Sequence, residues 1–89
     1  MLIRSQDKKN LINLDNLNNI RICTGKCEDA EVSRIYAESG IVSTNMPIAE
    51  YSTEAKAIKV LDMIEGACEN QSERCRYVFQ MPVDEEVKL

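Results

Sequence analysis

The chain contains no histidine and no tryptophan among its 89 residues, and the missing histidine removes the most chemistry. Nucleophilic catalysis normally sets a histidine or lysine base beside a serine or cysteine, and no such arrangement can be assembled here around an imidazole. The three glycines, Gly25, Gly40 and Gly66, stand apart from one another, so there is no glycine-rich loop to cradle a phosphate. Aromatic residues are few: Tyr36, Tyr51, Tyr77 and Phe79 are the whole set, which leaves the core to aliphatic side chains. No run approaches the roughly 20 apolar residues that span a bilayer. The N-terminus turns polar at Arg4 without the apolar stretch of a signal peptide. These gaps lead to the expectation of a cytoplasmic, non-enzymatic protein without a cofactor or a membrane association. At 89 residues there is length for one domain and one core.

Charge is also one-sided. Fifteen acidic residues face eleven basic ones, for a formal net charge of −4. Non-specific nucleic-acid binding draws its affinity from Lys and Arg at phosphates, so nucleic acid is not an expected partner. Lys8-Lys9, and Arg74 and Arg76 beside Tyr77, are local basic patches that read as solvated turn residues. Carboxylates gather at Glu28-Asp29-Glu31 and at Asp84-Glu85-Glu86. Solvated loop charge accounts for both.

What is present starts with Ser52 to Asn70. Ala57, Ile58, Leu61, Ile64 and Cys68 fall at the spacing of one helix face, and Val60, Met63 and Ala67 widen the stripe. Ser52 or Thr53 is placed to cap the first turn, where Glu54 meets the positive end of the dipole. Gly66 costs about 1 kcal/mol relative to Ala in a helix interior, so the helix is expected to loosen after Glu65. A stripe this wide belongs against a sheet.

The remainder reads as short strands. Met1 to Ser5 and Leu11 to Leu14 form a hairpin around the polar Gln6 to Asn10. Ile20 and Ile22 alternate with Arg21 and Cys23 in a third strand, from Leu17 to Cys23. Thr24 to Glu31 has no apolar periodicity and is expected to be a surface loop. From Val32 to Glu38, Ser33, Ile35 and Ala37 share one face. Ser39-Gly40 is a turn signal before Ile41-Val42, and Pro47 confines the next strand to an edge, a bulge or a restart at Ile48. In the last strand Tyr77, Phe79 and Met81 share a face, and residues 82–89 are expected to be a frayed acidic tail. The order is β-β-β-β-β-α-β: an α+β domain over 1–89 with one helix across an antiparallel sheet of five to six strands. The last strand is left free to join its own sheet or that of a neighbouring subunit.

The four cysteines are the one constellation with metal-ligand character. Three residues separate Cys23 from Cys27 and six separate Cys68 from Cys75. The first spacing suits a structural zinc site and the second is looser than usual. The favoured reading is that no metal binds: Cys23 and Cys68 act as small apolar residues in or near the core, and Cys27 and Cys75 are free thiols on loops.

The stretches LIRSQDKKNLINLDNLNNIRI, IAEYSTEAKAIKVLDMI and VFQMP resemble small uncharacterised proteins of Gram-positive bacteria and their phages. The likeness lies in a polar first hairpin, a strand ending in a Tyr-Ser/Thr cap and an Ala/Val/Leu helix, with Cys23 to Pro47 unmatched. It implies a bacterial or prophage origin and carries no activity or site residue with it. The leading functional expectation is a protein-interaction module, homodimeric, with an unidentified protein partner. Its candidate surface is Lys8, Lys9, Met46, Pro47, Tyr77 and Phe79. Two alternatives stand beside it: a phage-encoded inhibitor that meets a host nucleic-acid enzyme through an acidic surface, and a small domain held by a cysteine-ligated zinc.

Overall fold

The computed structural model describes residues 2–16, 19–39, 44–69 and 78–89. Strands β1 (Leu2–Arg4) and β2 (Leu11–Asn13) are followed by a 3-10 turn at Leu14–Asn16. Next come β3 (Asn19–Cys27), β4 (Ala30–Ser39), β5 (Thr44–Tyr51), helix α1 (Glu54–Glu69) and β6 (Val78–Gln80), with a 3-10 turn at Asp84–Glu86. The α+β class and the expected element order are as observed. The strands divide into two three-stranded sheets, β2-β1-β6 and β3-β4-β5, where one sheet was expected.

The last strand belongs to its own chain. β6 lies parallel to β1, with Ile3 opposite Phe79, and the Met81 amide donates to the Arg4 carbonyl at 3.0 Å to extend the pairing. Ile3, Phe79 and Met81 are buried, while Val78 and Gln80 point outward. Such a pairing of the two chain ends leaves no local signature, because its partners are over seventy residues apart.

β3 is longer than expected. The stretch Thr24 to Glu31 is a continued hairpin, with Thr24 opposite Ser33, Lys26 opposite Glu31 and Cys27 opposite Ala30. Glu28 and Asp29 both have positive φ, 52° and 66°, the mark of a two-residue type I′ turn whose twist suits the strands it joins. Thr24, Gly25 and Lys26 are exposed, so no apolar alternation announced the strand. On β4, Ser33, Ile35 and Ala37 are buried as the alternation predicted. The Thr24 and Ser33 hydroxyls lie 2.9 Å apart, which satisfies a serine with no exposed surface.

β5 bears out the reading of Pro47. Ile35 faces Ala49 and Tyr36 faces Pro47, so Ile48 is the extra residue of a bulge on an edge strand. The expected turn at Ser39-Gly40 and the start of the return strand at Ile41-Val42 fall on 40–43, outside the described residues.

α1 begins where its cap is. Thr53 Oγ1 accepts the Lys56 amide at 3.2 Å, and the helix runs through Gly66 to Glu69 without the loosening expected there. Ala57, Val60 and Ile64 are buried on the β3-β4-β5 sheet, with Leu61 and Ala67 half covered. The buried stripe is narrower than the apolar stripe: Ile58 and Met63 flank it and remain 48% and 41% exposed. No helix among the described residues is long and apolar enough to cross a membrane.

Residues 82–89 are not frayed. Val87 is buried, and Asp84 accepts the Ser52 amide at 2.8 Å and approaches Lys56 Nζ at 3.3 Å. Tyr51, itself buried, donates its hydroxyl to the Pro82 carbonyl at 2.7 Å. These bonds fasten the C-terminal segment across the junction between β5 and α1.

Candidate functional site

A groove of about 740 Å³ lies at that junction. Four segments line it: Gln6 and Asp7 of the first hairpin, Ala30 to Val32 at the start of β4, Glu50 to Ser52 at the end of β5, and Val83 to Glu85. The lining carries five carboxylates (Asp7, Glu31, Glu50, Asp84 and Glu85) and no Lys or Arg. Val32, Tyr51 and Val83 contribute apolar surface between them.

The ladder explains why the groove exists. β4 pairs with β5 only from Ser33, opposite Tyr51, because the chain leaves the sheet at Ser52 to start α1. Ala30, Glu31 and Val32 extend beyond that point with β3 as their neighbour. The place where β5 would have continued is the groove. Glu50 exchanges hydrogen bonds with Gln6, its amide with Gln6 Oε1 at 3.0 Å and its carbonyl with Gln6 Nε2 at 3.1 Å. Glu50 therefore faces away from β4 and Tyr51 faces toward it, so strict alternation turns the N–H and C=O of Ser33 and Glu31 to the β5 side. Glu31 thus presents its backbone pair to the groove.

Three of the five carboxylates are engaged. The Ser52 amide and hydroxyl and then Lys56 hold Asp84 below the usual carboxylate range, and Glu50 lies 3.4 Å from Arg34. Asp7 is likewise lowered, first by the Ser5 hydroxyl and then by the Lys9 amide. Burial, with the charges of Asp84 and Glu86 adding to it, pushes the Tyr51 phenol up, so Tyr51 stays a neutral donor to Pro82. No proton-transfer pair results from this arrangement. Glu31 and Glu85 add further acidic charge to the lining.

The residues singled out from the sequence are dispersed. Cys23 lies exposed on β3 and Cys68 exposed on the last turn of α1, so neither belongs to the core as expected: Cys23 is opposite Arg34 on the sheet face turned away from Ser33 and Ile35, and Cys68 lies past Ile64, the last buried residue of the helix. Cys27 closes the β3–β4 hairpin, and Cys75 lies outside the described residues. Among the described residues no three metal-ligating side chains come together. Lys8 and Lys9 are exposed in the first hairpin. Pro47 is exposed and Met46 is half-buried against the core. Phe79 is buried between β1 and the core and is removed from the candidate surface. Tyr77 lies outside the described residues.

Sequence reading missed the groove because it treated each acidic cluster as isolated. The fold brings Glu31 of the first cluster beside Asp84 and Glu85 of the second. Glu28 and Asp29 stay at the hairpin tip, and Glu54 and Glu69 stand at opposite ends of α1. Comparison with protein-family models, with curated proteins and with solved structures finds no match.

Proposed function

We propose that the protein is a non-enzymatic interaction module that takes an extended, basic segment of a partner polypeptide into this groove. The observation that carries the reading is the vacant strand position beside Ala30–Val32, rimmed by carboxylates without a cation among its lining residues. A segment placed there meets the Glu31 backbone as an added strand does, with alternate side chains toward the rim. Charge at the rim sets the choice of partner and speeds encounter more than it raises affinity. A basic segment that elsewhere holds phosphate suits the same rim, which keeps the inhibitor of a nucleic-acid enzyme as a special case. A bacterial or prophage origin, proposed on the sequence stretches quoted above, accords with either partner.

Fluorescence anisotropy with ten-residue peptides tests the reading, one alternating Lys with Val and one alternating Glu with Val. The basic peptide binds, its affinity falls with added salt, and the double change Glu31→Lys with Glu85→Lys weakens it about tenfold, the equivalent of ~1.4 kcal/mol. Equal binding of both peptides ends the proposal. So does the absence of binding by the basic peptide at about 100 μM protein, a concentration that detects even weak transient complexes.

A further inference from the structure

The opposite edge of the same sheet makes a second, independent proposal. β3 has β4 on one side, and among the described residues no strand lies on the other. It is nine residues long and pairs with β4 without a bulge. We propose that this edge pairs with the β3 edge of a second copy of the chain, antiparallel about a two-fold axis at Cys23.

Two observations agree on which backbone groups point outward. In a two-residue turn the flanking residues form a hydrogen-bonded pair, here Cys27 and Ala30. Counting back from Cys27, Gly25, Cys23 and Arg21 face β4. Independently, the bonds of Gln6 to Glu50 fix Ser33 and Ile35 as facing β5, which again turns Arg34 and Cys23 to each other. The free N–H and C=O groups therefore belong to Ile20, Ile22, Thr24 and Lys26.

Those four residues select the register. Cys23 is the midpoint of β3, so an axis there engages all nine residues and sets Ile20 against Lys26 and Ile22 against Thr24 of the partner copy. Both residues of every such pair have outward groups, and the four pairs exchange roughly eight ladder bonds. Shifting the axis to Arg21 opposes two guanidinium groups, and any other shift leaves residues unpaired. With the axis at Cys23, Arg21 lies opposite the partner copy's Gly25, where a side-chain carbon would meet nothing within 4 Å. β3 carries two cations and no anion, yet no two of them are opposed in this register, and like charges directly opposite would destabilise the pair. On the helix side, Ile20 and Ile22 are only half covered within one copy. The second strand covers the remainder.

The two Cys23 side chains form the central, non-hydrogen-bonded pair, whose Cα separation of about 4.5 Å lies within the range that a disulfide bridges. This gives a probe. In a variant keeping Cys23 alone (Cys27→Ser, Cys68→Ser and Cys75→Ser), diamide takes up the two electrons and two protons released as the S–S bond forms. A covalent dimer then appears rapidly. In the complementary Cys23→Ser variant, with the other three cysteines kept, it does not.

Light scattering after size exclusion gives the second readout: the 10.1 kDa chain runs at about 20 kDa, as a symmetric dimer does. Cys23→Glu, at an exposed position that faces Arg34 of its own copy across the ladder, places two carboxylates at the axis and weakens the dimer about tenfold, while Cys23→Ser leaves it unchanged. A wild-type chain that is monomeric at about 100 μM, which separates weak from stable association, overturns the proposal. A dimer indifferent to Cys23→Glu overturns it too, as does diamide coupling that proceeds equally without Cys23.

Discussion

The two edges of the β3-β4-β5 sheet are treated in opposite ways. At β5 the edge is interrupted by Pro47 and by the bulge at Ile48, and it is then occupied. The Gln6 amide donates to the Ile48 carbonyl at 2.8 Å, and the Gln6 side chain bonds both backbone groups of Glu50. At β3 nine residues run without Pro or bulge, and their outward groups have no partner among the described residues. Proline, bulges and covering segments are the usual means of protecting an edge from unwanted pairing. One edge here carries all three and the other has only Arg21 and Lys26. The contrast argues that β5 is an internal seam, where the two sheets meet, and that β3 is the side left for another chain.

The largest test of this comparison is to make the edges alike. Gln6→Ala removes the two bonds to Glu50 and a third, from Nε2 to the Pro82 carbonyl at 3.0 Å. Net hydrogen bonds contribute about 0.5–1.5 kcal/mol each, and those of Gln6 are partly solvated, so the expected loss is about 1–2 kcal/mol in urea unfolding. The seam should open before the β3–β4 hairpin, with amide exchange accelerating at Glu50 and not along β4. Equal acceleration throughout would show that Gln6 supports the whole fold and that β5 is not a separate seam.

A smaller effect is expected from acid. Asp84 fastens the C-terminal segment over the end of β5, and its carboxyl is held below the ordinary carboxylate range, first by the Ser52 amide and then by the Ser52 hydroxyl and Lys56. A carboxylate with a depressed native pKa stabilises the fold above its unfolded value and loses that contribution as pH falls through the native one. The wild type should therefore lose stability more steeply than Asp84→Asn below about pH 4, where carboxylates of ordinary pKa take up protons. At neutral pH the variant should be the less stable. Denaturant midpoints at a series of pH values between 2 and 7 measure both, and parallel curves would remove Asp84 from the seam.

The asymmetry between edges also explains what the sequence showed. The alternation Ser33, Ile35, Ala37 is visible because one face of the central strand is buried along its length. Thr53 and the Ala57, Val60, Ile64 series mark α1 for the same reason, and Ile58 misled because an apolar residue on a helix flank looks the same whether or not a sheet reaches it. Thr24 escaped because its side chain is exposed, and residues 25–27 because their partners extend beyond β5: without burial there is no gradient to impose alternation, and their strand pairing is set by the turn at Glu28-Asp29. The groove was illegible for another reason. Asp7, Glu31 and Glu85 are far apart in sequence, and only the β1–β6 pairing and the Gln6 bridge bring them to one rim.

The smallest prediction concerns the open edge. Gly25 lies inside β3 with an ordinary φ and open space where a side chain would stand. An interior glycine weakens a strand through the entropy of its unfolded state and the side chain it lacks. Gly25→Thr should stabilise the single copy by about 0.5 kcal/mol, within the ~1 kcal/mol span of strand propensities, and raise the thermal midpoint by about 2–4 °C, the shift such a change gives in a domain of this size. The same substitution places a β-branched side chain opposite the partner copy's Arg21, in space that the glycine leaves free. The dimer should then weaken while the monomer gains stability. Light scattering and thermal unfolding on one variant separate the two effects: a gain in both would mean that the emptiness at Gly25 has no part in the pairing and that the register centred on Cys23 is wrong.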